Sequence, residues 1–284
     1  MTESVAIPNN TAKGLISDEK FPLSNRSLHL SVEVRENVLL AALLDKHSNC
    51  YIAIDTVSFE KNLNAADIKN NFLLSSKAAD VSVVFTSNSA LLIPAPFFKK
   101  ELVSEYLKLQ QLNKENETPC YDYIKSIDSY SAYTVNNNKL ELFSNHYPSA
   151  TLRHHSSIFI EYVLIENKHN DNNPVFITVF DNYMDVIVIK SGKLILYNRF
   201  SYSNEADFIY HLLWVYEQLG LDTEKTGCVF YGDMEKDSEK YNLAKKYIRN
   251  TALGEKNKQS DYSKPLTNLS PHKYRSLFTQ YICV

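Results

Sequence analysis

The sequence predicts an α/β protein in which one order of elements, βββαβα, occurs twice. Three observations carry this. Residues 28–58 and 174–202 each break into three short strand-like segments separated by turns, the pattern of an antiparallel meander. Each meander leads into a helical stretch, an apolar strand and a second helical stretch, so the runs beginning at Leu28 and at Pro174 share an order while sharing little identity. The chain has 284 residues, 44% hydrophobic and 22% charged, an ordinary globular composition with length for one large domain or two of ordinary size.

In LHLSVEVRE, residues 28–36, Leu28, Leu30, Val32 and Val34 alternate with His29, Ser31, Glu33 and Arg35, the period of a half-buried strand. VLLAALLD follows the turn at Glu36 and Asn37, and CYIAIDTVSF follows KHSN. In NAADIKNNFLLSSKAA, Ile68, Phe72 and Leu73 fall at helical spacing behind Asn64, a good N-cap residue. VSVVFTS then reads as a strand and KKELVSEYLKLQQL as a helix. After the polar linker NKENETP, the segments YDYIKSI, SAYTV and KLELF read as short inserted strands, and HHSSIFIEYVLIENK as the helix that leaves this half.

The second meander occupies residues 174–202, with KSGK as a glycine-containing hairpin turn. NEADFIYHLLWVYEQLG is the clearest helix, with Asn204 as N-cap, Glu205 and Asp207 at the positive end and Gly220 just past the last turn. Its stripe of Phe208, Leu212, Val215 and Leu219 faces the core. GCVFYGDM supplies the next strand and SEKYNLAKKYIRN the next helix. The expected organisation is a flexible arm over 1–27, a first half with inserted strands over 28–172, a second half over 173–250 and a tail over 251–284. In that tail ALGEKNKQSDYSKPL is polar and loose and YRSLFTQYICV is apolar enough to dock.

The 30 Lys and Arg against 33 Asp and Glu give a net charge of −3, which supplies no global attraction for nucleic acid or an anionic membrane. The first residues lack the charge and apolar run of a secretory signal, and the longest apolar run, VLLAALL, is too short to span a bilayer. A cytoplasmic protein is expected. Cys50, Cys120, Cys228 and Cys283 show no CxxC spacing and read as buried free thiols. The N-x-S/T matches at Asn25, Asn116 and Asn268 carry little weight without an export signal.

The twofold βββαβα order resembles the actin-like ATPase superfamily, which includes sugar kinases and pilus-assembly and secretion-platform proteins. It resembles in particular an uncharacterised family of Bacteroides-type bacterial proteins with a degenerate form of that fold. The resemblance is one of topology and covers most of residues 28–250. It implies a duplicated actin-like (ribonuclease H-like) fold with two halves around a cleft. In the superfamily that cleft holds ATP and its metal, the first hairpin of each half offers a D-x-G motif to the phosphates, and a Gly-Gly turn in the second half holds the adenosine.

Backbone N–H groups reach a phosphate only where the chain passes close to it, often at positive φ, which glycine permits and a Cβ obstructs. None of the six glycines falls in either first hairpin. In FDNYMDV the resemblance matches Asp181 to the family aspartate, but Tyr183 stands at the glycine and Asp185 near a usual threonine. The first-half turn, Arg35-Glu36-Asn37, has neither aspartate nor glycine, and the adenosine turn keeps Gly232 followed by Asp233. Two like charges about 4 Å apart repel by roughly 4 kcal/mol at an effective dielectric of about 20, so paired carboxylates oppose a triphosphate unless Mg²⁺ intervenes.

His154 and His155 are adjacent, so they point to different faces of any regular element and read as a solvent-facing or capping pair rather than metal ligands. No G-x-S-x-G elbow supports a hydrolase. YDYIKSIDSYSAY concentrates four tyrosines over residues 121–133, read as filling a sheet face, with a partner-binding edge as the alternative. The sequence thus favours a non-catalytic actin-like scaffold or protein-interaction module with an unidentified protein partner. It expects no cofactor, no catalytic or metal-ligating residue, no nucleic acid and no membrane insertion. The alternative is an ATP-binding or ATP-hydrolysing protein with atypical phosphate loops, using ATP and Mg²⁺, with Asn37, Asp181, Asp185 and Gly232 as the nucleotide-contacting residues.

Overall fold

Two mixed sheets share one strand order. The structure, a computed structural model, describes residues 15–17, 27–59, 63–86, 89–112, 115–168 and 174–283. Apart from residues 15–17 and 27, the expected N-terminal arm lies outside these, as does Asn25. In chain order the first elements are β1 (Ile16–Ser17), β2 (Leu28–Val34), β3 (Val38–Asp45), β4 (Cys50–Ser58), α1 (Ala65–Asn70), β5 (Asp80–Phe85), β6 (Leu91–Pro94), α2 (Val103–Leu109), β7 (Glu117–Ile124), β8 (Ser129–Asn136), α3 (Asn137–His146), β9 (Thr151–His154) and α4 (His155–Glu166). There follow β10 (Val175–Val179), β11 (Tyr183–Lys190), β12 (Lys193–Ser201), α5 (Glu205–Gln218), β13 (Cys228–Gly232), α6 (Glu239–Tyr247), β14 (Thr251–Leu253), β15 (Asp261–Tyr262) and α7 (Arg275–Cys283).

The first sheet runs β1-β4-β3-β2-β5-β9, with β15 also on β4, and the second runs β12-β11-β10-β13-β14. In each, a three-stranded antiparallel meander is extended by two parallel strands: β2 pairs parallel with β5 and β5 with β9, as β10 does with β13 and β13 with β14. The chain divides into two compact units. The first comprises Met1–Ile158, Asn257–Leu269 and Ser276–Val284, and the second Phe159–Lys256 and Ser270–Arg275. By packing, the division thus falls within α4 and gives the residues after 250 to both units, where the sequence reading drew its boundaries at 172/173 and 250/251.

In the first unit Leu28, Leu30, Val32 and Val34 enter a core with Leu39, Leu43, Val83, Phe85 and Phe143. The alternation predicted a half-buried strand, yet all seven residues of β2 are buried. Its polar set faces a second layer supplied by α7, more than two hundred residues away in sequence. The turn of α1 begins with a capping box, Asn64 accepting from the Ala66 and Asp67 N–H groups while Asp67 accepts from Asn64 N–H. The helix is shorter than its periodicity predicts, because the Asn71 side chain accepts from the Leu73 and Leu74 N–H groups and turns the chain.

The connection from β5 to β9 holds the insertion. A three-stranded sheet, β6-β8-β7, packs its Ile93 and Ala132 against Val103 and Leu107 of α2, so α2 belongs to the inserted layer rather than to the first βββαβα run. KLELF, expected as a strand, is helical in α3. Asn136 caps it by accepting from the Asn138 and Lys139 N–H groups, and Leu140, Phe143 and Tyr147 then share the face packed on the core. The Leu140/Leu142 alternation suggests a strand, whereas the Leu140/Phe143 spacing within the same five residues fits one side of a helix.

The second unit has its own core of Val175, Ile177, Val179, Met184, Val186 and Val188 against Phe208, Leu212, Val215 and Phe230. Asn204 caps α5, as its sequence predicts. Residues after 250 are more ordered than their polarity suggests. β14 joins the second sheet, β15 joins the first, and side chains hold the intervening backbone, with Asn49 donating to the Gln259 carbonyl and Asn257 to that of Phe278.

Candidate functional site

The turn between β10 and β11 is closed by two backbone hydrogen bonds, Phe180 N–H to the Tyr183 carbonyl at 2.9 Å and Tyr202 N–H to the Asn182 carbonyl at 3.0 Å. This places Asp181 and Asn182 at one wall of a pocket of about 450 Å³, whose other walls are residues 201–205, at the junction of β12 and α5, and Lys240 of α6. The Lys240 ammonium lies 4.7 Å from the Tyr202 ring centroid and donates to the Tyr202 hydroxyl at 3.2 Å. That hydroxyl donates to the Phe180 carbonyl. Burial, and then the carboxylates of Asp181, Asp233 and Glu205, push the phenol well above its ordinary range.

The pocket therefore has polar walls, one cation, Lys240, and two carboxylates, Asp181 and Glu205. At the start of α5 the Asp207 N–H is met by Asn204 Oδ1 at 2.9 Å, and Asp207 Oδ2 accepts from the N–H of Ser203, just before the helix, at 3.1 Å. The helix end beside the pocket is thus already compensated by a carboxylate.

Tyr183, which stands where the resemblance places a phosphate-loop glycine, is packed on both faces. Its ring stacks on Phe180 at 4.5 Å and 23°, and the Arg199 guanidinium lies 4.1 Å from its centroid. Asp185 was expected to turn a second carboxylate toward a ligand. Instead it is fully buried and held by Arg199, Nε to Oδ1 at 2.6 Å and Nη2 to Oδ2 at 2.8 Å. Burial works against the arginine charge, and the facing carboxylate outweighs it, holding the guanidinium pKa above its ordinary value. A bidentate pair leaves Asp185 no net charge to repel a phosphate, and neither of its oxygens is open to a ligand.

Gly232 closes β13 in register with Val179 at φ +76°, and a Cβ there would lie 2.2 Å from the Val179 carbonyl oxygen. Its glycine is required by the neighbouring strand. It nonetheless brings Asp233 to the end of the sheet that carries Asp181, with Asp233 N–H bonded to the Val179 carbonyl at 2.8 Å.

Asn37 lies in the first hairpin of the other unit. There the turn presents carbonyls, not N–H groups, to its neighbour: Lys139 of α3 donates to the Arg35 carbonyl at 2.9 Å and the Glu36 carbonyl at 3.1 Å. Burial holds that lysine below its ordinary pKa. A turn whose acceptors converge on an ammonium has the wrong polarity for a phosphate.

The sequence reading missed Arg199, Tyr202 and Lys240. Folding the hairpin about Ser191 and Gly192 without irregularity opposes Asp185 to Asn198. The register shift between Val188 and Ile189 adds one residue to β12 and opposes it to Arg199 instead. No signal in the letters announces that bulge. Lys240 is one of several lysines in its region, and only the α5–α6 packing brings it to the turn.

His154 and His155, expected at the surface, are both buried. His154 does cap: its Nδ1 lies 3.2 Å from the Ser156 N–H and 2.7 Å from the Ser156 hydroxyl, while its own N–H donates to Asp122. Asp122 also accepts from Ser157 and Tyr133, closing a buried network that burial itself pushes toward a raised carboxyl pKa. Among the described residues no group of three or more His, Cys, Asp or Glu could hold a metal, and no helix is long and apolar enough to cross a membrane. The four cysteines are free thiols, with Cys228 and Cys283 buried and Cys50 and Cys120 half-buried. Of the tyrosines over 121–133, Tyr133 is buried in the core, while Tyr121 and Tyr130 pack around Phe98, which stacks on Tyr130 at 3.8 Å.

Comparison with known proteins places this geometry. A crystal structure from Bacteroides thetaiotaomicron VPI-5482, described as a protein with actin-like ATPase fold and unknown function, superposes with a TM-score of 0.72 at 20% identity, covering 81% of this chain and 91% of that one. The PilM–PilN type IV pilus biogenesis complex matches with a TM-score of 0.58 at 10% identity, covering 90% and 98%. At these identities the likeness shows the fold, which is actin-like. No curated protein matches by sequence. The profile described as "Protein of unknown function (DUF3822)" matches residues 18–251, and the chain belongs to that family.

Proposed function

We propose that this chain is a non-catalytic, cytoplasmic actin-like scaffold that binds a protein partner and turns over no nucleotide. The observation that carries the reading is the second hairpin, which is filled by its own side chains: Tyr183 lies between Phe180 and Arg199, and Asp185 is neutralised by Arg199. A phosphate bound there would need backbone N–H groups at close approach, which a ring at the glycine position obstructs. The lysine-held carbonyls of the first hairpin support the same conclusion. The strand order common to both sheets supports an origin by duplication, followed by replacement of the phosphate-binding glycines. The PilM fold neighbour, seen in complex with PilN, supports partner binding by analogy of fold alone.

A second reading rests on the pocket beside Asp181. It is open, polar and large enough for a small ligand, and Mg²⁺ between Asp181 and a phosphate reverses the repulsion. Thermal unfolding of the full chain with and without Mg-ATP distinguishes the two. A ligand at a hundred times its Kd stabilises by about 2.7 kcal/mol. We expect no shift in Tm and no phosphate release above background. A reproducible shift that disappears in Asp181→Ala overturns the first reading in favour of the second.

A further inference from the structure

A sheet edge accepts further strands unless it is short, interrupted or covered. Among the described residues most edges meet one of these conditions. In the first sheet β4 carries β1 and β15, and β9 is four residues long. In the inserted sheet β6 has four residues and β7 contains Pro119, and in the second sheet β14 has three. The exception is β12, nine residues without proline and with its lysine at the first position. Its counterpart in the shared strand order is the covered β4. The bulge ends at Ile195, and from Leu196 to Ser201 the register with β11 is unbroken.

The backbone of this run alternates. Tyr202 N–H turns inward to the Asn182 carbonyl, so the groups of Phe200 and Asn198 also face β11, while those of Tyr197, Arg199 and Ser201 face outward. The Arg199 N–H accordingly bonds the adjacent Asn198 Oδ1 at 3.0 Å. An aromatic ledge lies beside this edge. Phe200 stacks on His211 at 5.2 Å and meets the Trp214 ring at 6.0 Å, and along α5 Tyr210 and Trp214 are 63% and 40% exposed.

We propose that β12 pairs antiparallel with β12 of a second copy of this chain, about a twofold axis at Asn198. The strand is complementary to itself in that register. Leu196 faces Phe200 of the second copy, apolar against apolar; Tyr197 faces Arg199, ring against guanidinium; and Asn198 faces Asn198, carboxamide against carboxamide. Centring on Tyr197 would run the pairing into the bulge, and centring on Arg199 would set arginine opposite arginine. A twofold axis perpendicular to the sheet keeps both α5 helices on one face of the joined sheet, where the Tyr210 and Trp214 ledges of the two copies meet. An unrelated strand would supply the backbone hydrogen bonds without this second, apolar contact. Self-association goes beyond the scaffold reading and does not rest on it, since oligomeric state and nucleotide binding are read separately.

Sedimentation of the full chain over a concentration series should show a reversible monomer–dimer equilibrium. A chain still monomeric at about 100 μM, where a pair of micromolar Kd is largely assembled, overturns the proposal. Asn198→Lys sets two ammonium groups opposite one another across the axis and should weaken dimerisation at least about tenfold, leaving the unfolding of the dilute monomer unchanged. Asn198→Cys, whose opposed Cα atoms would lie about 4.5 Å apart, should form a disulfide-linked dimer under mild oxidation where Lys193→Cys and the unmodified chain do not. A dimer that Asn198→Lys leaves intact, or that cross-links equally through residue 193, also overturns it. If Asn198→Lys does not fold, the two cysteine variants decide.

Discussion

At the scale of single residues, buried charge and buried imidazole carry the sharpest expectations. Asp185 and Arg199 are both inside the second unit and satisfy one another. Removing one partner strands the other, so Arg199→Ala should lower stability by about 3–5 kcal/mol in urea unfolding, while a double replacement by apolar residues of similar volume should recover most of the loss. Tyr183→Gly should also lower Tm, because it removes a ring stacked on both faces, and should create no affinity for Mg-ATP; an unchanged Tm would mean the stack contributes nothing.

His29 is buried against Ser82, and burial pushes its pKa down to about 4 from an ordinary 6.5. Above 6.5 it is neutral in folded and unfolded chains and adds no pH dependence. Between 6.5 and 4 the unfolded chain takes up a proton that the folded chain refuses, so stability falls with acidification by about 1.4 kcal/mol per pH unit, on the order of 3 kcal/mol in all. Unfolding measured at several pH values in this window should give a flatter profile for His29→Gln than for the unmodified chain, and parallel profiles would refute the assignment. Of these groups, sequence reasoning found Asp185 but gave it the wrong surroundings, because a one-residue bulge selects Arg199 as its partner.

Among the elements, those whose ends are set by local chemistry were legible and those set by remote layers were not. The caps at Asn64 and Asn204 act where the letters place them. The strand character of β2 was equally clear, but its burial on both faces depends on α7, which no window around residue 30 contains. KLELF was misread because five residues satisfy two periods, and the Asn136 cap decides for the helix. Gly232 illustrates a residue singled out for one reason and needed for another. Its positive φ and the Val179 carbonyl 2.2 Å from a would-be Cβ predict that Gly232→Ala destabilises the protein even if no nucleotide is ever bound. A melting temperature equal to that of the unmodified chain would contradict the packing at the end of β13.

For the whole molecule, the balance of 30 basic and 33 acidic residues predicts no retention on a polyanion column at physiological ionic strength, since few phosphates can be neutralised at once. Retention that weakens with salt would reveal a basic surface hidden by the net charge. By itself the sequence determined the α/β class, the two three-stranded meanders, the positions of most strands and helices, and the absence of glycine from both first hairpins. These follow from residue type and spacing within a few turns of chain. Only the tertiary structure decided that α2 belongs to an inserted layer, that the C-terminal residues complete both units, that Asp185 is paired while Asp181 lines a pocket, and that a lysine occupies the first hairpin. Each of these depends on register or on contacts between residues far apart in sequence, and such contacts are selected by the burial of whole surfaces rather than by any local pattern.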